Sequence, residues 1–183
     1  MAHIPAEEGV PGIRSLVMFR PETGGPLYTL AQVLLRGPSP IPEEERELIA
    51  AYVSSLNNCT FCCMSHAAAS RELYGEKREI VDCVLYEFGQ AELSNKLKAL
   101  LLIAAKVAES GRSVLPEHIE NARMRGATDM EIHDTVLIAA AFCMYNRYVD
   151  GLDSFTPTDP EDYEEMGVRL AANGYVPPQN SNS

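Results

Sequence analysis

Apolar residues recur along this chain at intervals of three and four, the spacing that lines one face of an α-helix. No run alternates apolar with polar positions between turn residues, as a half-buried strand would. The pattern predicts an all-α, single-domain helical bundle. Leu27, Leu30, Ala31 and Leu34 share one face of a short helix over about 26–36, which Gly37 stops. Upstream, Pro5, Pro11, Gly12, Pro21, Gly24 and Gly25 make residues 1–25 read as an extended arm. Pro38, Pro40 and Pro42 stiffen the next connection. Pro42 suits the first turn of a helix running to about Leu56, and Glu43, Glu44 and Glu45 complement its positive end. Leu48, Ile49, Tyr52, Val53 and Leu56 form that helix's buried stripe, and Asn57-Asn58 break it.

A further helix starts close to Cys59 and passes through Ala67-Ala68-Ala69, residues small enough to let another helix approach. It ends at Gly75. Ile80, Val81, Val84, Leu85 and Phe88 mark a third amphipathic segment. Leu97, Leu100, Leu101, Ala104, Val107 and Ala108 mark a fourth, stopped by Gly111. Pro116 opens a short helix that ends at Gly126. Thr128-Asp129-Met130-Glu131 matches a capping box ahead of a helix over about 129–149. That helix is the most apolar in the chain between Val136 and Met144, which places it at the centre of the core or of a subunit interface. Asp159-Pro160-Glu161 starts a last helix to about Ala172. The helical domain thus spans 26–175, and residues 176–183 form a polar tail with nothing to bury.

Composition narrows the range of partners. With 183 residues the chain is long enough for one real core, and 15 basic against 26 acidic side chains leave a formal charge of −11. Such a surface repels nucleic acid and anionic membranes, so neither is an expected partner. The first residues carry no cationic stretch followed by an apolar one, and the default location is the cytoplasm. Five cysteines are an odd number, which argues against a disulfide scaffold. Clustered thiols in a reducing compartment point instead to redox chemistry or metal binding.

The cluster is Cys59-Thr60-Phe61-Cys62-Cys63-Met64-Ser65-His66. On a helix, Cys62 and His66 are one turn apart and meet on one face, which Cys59 shares. Both thiols fall in the first turn, where unpaired backbone N–H groups and the helix dipole favour a thiolate. Glu47, twelve positions before Cys59, lies on the preceding helix and is the natural carboxylate to orient the imidazole. Carboxylate, imidazole and dithiol are the parts of a proton-relayed redox centre. Competing readings exist. Cys59, Cys62 and His66 give three ligands where structural zinc usually wants four. A thioredoxin-like domain needs strands ahead of the motif. The cysteines can also be plain packing residues, as Cys63, Cys83 and Cys143 read. Glu47 on a helix flank can be solvated.

Glu47 followed by Cys59-x-x-Cys62-x-x-x-His66 resembles the signature of the AhpD-like alkylhydroperoxidases of the carboxymuconolactone decarboxylase superfamily. Asn146-Arg147-Tyr148-Val149-Asp150-Gly151 resembles a closing motif of the same proteins. Phe61 and Cys63 depart from some members, and the chain looks most like the peroxidase-related branch. The resemblance implies an AhpD-like all-helical fold, assembly into a homo-oligomer (trimer or hexamer), and reduction of an organic hydroperoxide or hydrogen peroxide without metal or other cofactor. It implies that Glu47 and His66 relay protons. It further implies that Cys62 is the more buried thiol and attacks the peroxide, while Cys59 resolves and meets an external dithiol or lipoyl-type reductant. A general disulfide reductase or redox sensor on the same fold, or a helical oligomer that only binds, are the alternatives.

Overall fold

The structure, a computed structural model, describes residues 2–86 and 93–176. Every regular element among them is helical. In chain order these are α1 (Ile13–Phe19), α2 (Pro21–Arg36), α3 (Glu43–Leu56), α4 (Thr60–Tyr74), α5 (Glu79–Tyr86), α6 (Asn95–Glu109), α7 (Pro116–Met124), α8 (Asp129–Gly151) and α9 (Pro160–Asn173), with short 3-10 turns at Gly75–Lys77 and Gly111–Ser113. The all-α reading therefore holds. Phe88 and the tail from 177 onward lie outside the described residues.

The centre of the bundle is the α3–α4 hairpin. Pro42 precedes α3 and three glutamates fill its first turn. Leu48, Ile49, Ala50, Ala51 and Val53 then form an inner face with no exposure at all. Asn58 turns the chain with φ 59°, a left-handed conformation that asparagine tolerates. Cys59 caps α4 in an extended conformation. On the far side of the hairpin Arg46 reaches back to α2. Its Nη1 donates to the carbonyls of Leu34 (3.0 Å) and Gly37 (2.8 Å), satisfying groups that the helix end leaves open.

The alanines of α4 admit α9. A Cβ on Gly167 would come within 2.7 Å of the Ala68 backbone, so only glycine lets the two helices approach this closely. The approach brings the chain after α9 back over α3 and α4. α8 starts from the predicted capping box: Thr128 Oγ1 accepts from the Glu131 amide (3.2 Å), and Glu131 Oε2 accepts from the Thr128 amide (2.7 Å). It buries Ile138, Ala139, Phe142, Tyr145 and Val149 in the core. Its other side leaves Met130, Leu137 and Met144 exposed at a seven-residue spacing (58, 39 and 44 %).

The extended arm over 1–25 needs correction. Residues 13–19 and 21–25 are helical. Pro21 stands at the first position of α2, where its missing N–H is no loss, and Pro26 is carried within the helix. The glycine at 24 serves contact rather than freedom, since a Cβ there would come within 2.6 Å of Val17 on α1. Leu16 and Val17 are core residues. Among the described residues of this segment, the stretch before α1 and Arg20 between the two helices lack regular structure, and the former is pinned by His3 N–H to the Leu152 carbonyl (2.9 Å) and Gly12 N–H to the Phe155 carbonyl (2.8 Å). No helix among the described residues is long and apolar enough to cross a membrane.

Candidate active site

Glu47 faces inward from α3 and is fully buried, which removes the reading of a solvated flank. Both of its oxygens are used. Oε2 accepts from His66 Nδ1 on α4 at 2.6 Å. Oε1 accepts from Arg36 Nη2 at the end of α2 (2.7 Å) and from the Tyr175 hydroxyl beyond α9 (2.6 Å). The Tyr175 oxygen also lies 3.1 Å from His66 Nδ1. A consistent proton assignment follows. Tyr175 donates to Glu47, and Nδ1–H is shared between Glu47 and the phenol oxygen. The neutral ring then carries no proton on Nε2, which makes no hydrogen bond among the described residues and is free to act as a base.

Burial alone would push the Glu47 carboxyl up. The charge and hydrogen bond of His66, the Arg36 guanidinium and the Tyr175 hydroxyl outweigh it and hold the group below the usual carboxylate range. The same environment pushes the buried Tyr175 phenol well above its ordinary value, first through burial and then through the Glu47 charge, so it stays a donor. The imidazole is held by rings as well. It meets the Phe142 edge with centroids 4.5 Å apart and stacks on Tyr175 at 5.9 Å. The Arg36 guanidinium lies 5.4 Å from the Tyr175 ring centre, and the Tyr175 amide donates to Gln32 Oε1 (2.7 Å).

The thiols sit at the start of α4, both free and both buried. The Cys62 thiol stands close enough to Cys59 for that neighbour to influence its ionisation. Asn146 on α8 favours the ionised form of Cys62, and it is held in place by donating to Ser54 Oγ (3.0 Å) and accepting from Asn57 Nδ2 (2.8 Å). Two expectations change here. Cys59 has no exposure and Cys62 has 4 %, so the burial order is the reverse of the expected one. Cys59 is enclosed at the N-cap, while Cys62, one turn in, borders a cavity. The Cys62 thiol is also not depressed. The neighbouring Cys59 thiol and then burial push it well above the usual thiol value and outweigh the opposing influence of Asn146. Burial likewise pushes the half-buried Cys63 up to about 11. Cys83 and Cys143 pack against the core but are only partly covered.

Cys62 and His66 border one cavity of about 60 Å³. Leu27, Phe142, Met166 and Leu170 give it apolar walls. The volume suits a peroxide group with a small apolar body. Among the described residues no three His, Cys, Asp or Glu side chains gather as a metal site would require.

The four side chains singled out by spacing thus divide into two pairs, Glu47 hydrogen-bonded to His66 and Cys59 acting on Cys62, and the cavity joins the pairs through Cys62 and His66. Arg36 and Tyr175 were not legible. Tyr175 is 128 positions from Glu47, so no local periodicity signals the contact. Arg36 reads simply as a basic residue in a last helical turn. Asn146 belongs to the recognisable Asn-Arg-x-x-Asp-Gly segment, but its bonds to Ser54 and Asn57 beside the thiols are visible only in three dimensions.

The sequence pattern of the Carboxymuconolactone decarboxylase family matches residues 21–87, a span that includes the α3–α4 hairpin with Glu47, both thiols and His66. No curated protein matches the sequence significantly. Among solved structures, an uncharacterized peroxidase-related protein from Silicibacter sp. TM1040 is 26 % identical with a TM-score of 0.77, over 86 % of this chain and 81 % of that one. A peroxidase-related protein with an alkylhydroperoxidase AhpD core from Ralstonia eutropha JMP134 is 25 % identical with a TM-score of 0.76, over 92 % and 83 %. The debrominase Bmp8, solved with 2,3,4-tribromopyrrole, is 17 % identical with a TM-score of 0.69, over 86 % and 83 %, a likeness of fold alone.

Proposed function

We propose, for a chain that belongs to the AhpD/carboxymuconolactone decarboxylase superfamily, thiol-dependent reduction of hydroperoxides through the Cys59–Cys62 pair. The observation that carries the reading is that His66, held by the buried Glu47, borders the same cavity as Cys62. In the resting protein the Cys62 thiol is protonated. A bound hydroperoxide brings its O–O bond to the sulfur while His66 Nε2 takes the thiol proton. Sulfur attacks the terminal oxygen, the O–O bond breaks, and His66 returns the proton to the departing alkoxide. The products are an alcohol and Cys62 sulfenic acid. The Cys59 thiol then attacks the Cys62 sulfur. The S–O bond breaks, the Cys59 proton and the hydroxyl leave as water, and a disulfide remains. An external dithiol reduces it by two exchanges and is itself oxidised to a disulfide.

Glu47 stays ionised throughout. It fixes the ring and stabilises the imidazolium that forms in passing, while Arg36 and Tyr175 hold Glu47. The narrow cavity favours a small peroxide over the disulfide of a folded protein, and a thin lipoyl-type arm fits it as reductant. Such recharging suits the reducing cytoplasm.

The test is chemical. One equivalent of tert-butyl hydroperoxide is expected to lower the titratable thiols from five to three per chain, and excess dithiol to restore them with continued peroxide loss. Five thiols unchanged, with no peroxide consumed, would overturn the reading.

Assembly into a homo-oligomer, trimer or hexamer, is part of the same reading. The exposed Met130, Leu137 and Met144 stripe on α8 supplies an apolar face for it. Light scattering is expected to give a multiple of the chain mass, and a monomer at micromolar concentration would contradict it.

A further inference from the structure

Arg14 on α1 and Arg169 on α9 border the same cavity as Cys62 and His66. Both are half-buried. Their charges act on one another and on Tyr28, which lines the same cavity. Neither guanidinium makes an ion pair or hydrogen bond with a described residue. The exposed Arg20, Arg78, Arg112 and Arg125 also lack such partners, but water surrounds them, whereas Arg14 and Arg169 are partly covered. Arg36, Arg46, Arg71 and Arg123 all find carboxylates or carbonyls. The Tyr28 hydroxyl likewise makes no hydrogen bond among the described residues. Burial holds this phenol protonated against the pull of both arginines, so it is available as a donor.

Two like charges brought together beside an apolar cavity lose hydration and repel, and the fold offers them no anion in return. A ligand anion would supply it. Paired guanidinium forks with a phenol donor match the planar geometry of a carboxylate. We propose that the cavity takes a hydroperoxide that carries a carboxylate, its acid group held by Arg14, Arg169 and Tyr28, its apolar body against the walls and its O–O bond at Cys62. The reaction end of this proposal rests on the peroxidase reading above. The acid end rests on the arginines alone.

The experiment compares a tertiary alkyl hydroperoxide bearing a terminal carboxylate with its methyl ester, in the wild type and in Arg14→Met/Arg169→Met. The wild type is expected to favour the acid in kcat/KM by about tenfold or more, and the double variant to bring the ratio to about one. Calorimetry with the corresponding hydroxy acid, the reaction product, reads the same site without turnover. Its affinity is expected to fall about tenfold in the double variant and in the milder Arg169→Gln. Equal turnover of acid and ester, with no arginine-dependent binding of the hydroxy acid, would overturn the carboxylate site and leave the peroxidase reading intact. Arginine-dependent binding with no peroxide consumed would uphold the site and overturn the peroxidase reading.

Discussion

Cys62→Ser is expected to lower hydroperoxide turnover by about a thousandfold or more while the protein stays folded. The serine oxygen replaces sulfur with little change in volume at a position that is 4 % exposed. The hydrogen bonds of the neighbouring Asn146 to Ser54 and Asn57 do not involve this side chain and survive. What disappears is a nucleophile able to accept oxygen from a peroxide, because a hydroxyl neither ionises near neutral pH nor forms a sulfenic acid. Steady-state peroxide loss with a dithiol reductant reads the effect, and circular dichroism reads the fold. A variant that turns over at the wild-type rate would move the chemistry to another residue, with Cys59 the next thiol to examine.

Glu47→Ala is expected to have the largest effect on stability. It removes the carboxylate on which Arg36, His66 and Tyr175 all converge, in a setting with no exposure. The Arg36 charge, whose side chain is only 7 % exposed, is left without its closest partner. Breaking a buried pair in this way costs about 3–5 kcal/mol. Glu47→Gln keeps the shape and isolates the charge. Loss of imidazole orientation and of imidazolium stabilisation is expected to lower turnover by about 10²–10⁴-fold.

Acidity gives an independent check on the same carboxylate. In the folded chain the Glu47 carboxyl lies below its ordinary value of 4.5. A lowered carboxyl pKa contributes stability that is complete above the unfolded value and is lost as pH falls through the folded one. The stability advantage of wild type over Glu47→Gln is therefore expected to be constant above about pH 5 and to shrink below about pH 4.5. Chemical denaturation at a series of pH values measures it. An advantage that grows on acidification would contradict the assignment of Glu47 as an anion.

Most of the helices could be read from the chain because each buries one stripe. α3 matches its predicted bounds, and α8 runs to Gly151 where about 149 is expected. The apolar spacing sets these faces, and Gly, Pro and the Thr128–Glu131 capping box set the ends. The first 25 residues misled for a physical reason. Proline and glycine break helices in isolation, yet Pro21 starts one and Gly24 makes a close helix contact that a larger residue would block. The site divides along the same line. Glu47, Cys59, Cys62 and His66 lie within one hairpin, so helical geometry alone predicts their meeting. Arg36 and Tyr175 arrive through the folding of α2 and α9 around that hairpin, and spacing holds no record of it. The thiol environment also escaped prediction. A helix start favours a thiolate, but a neighbouring sulfur and an apolar enclosure oppose it, and burial is a tertiary property.

The most direct test of the account is peptide mass mapping of the wild-type chain after one equivalent of hydroperoxide, quenched by alkylation. A Cys59–Cys62 disulfide in most chains, with Cys63, Cys83 and Cys143 alkylated as thiols, is the predicted result. Five alkylated thiols, or a disulfide that joins any other pair, would contradict it.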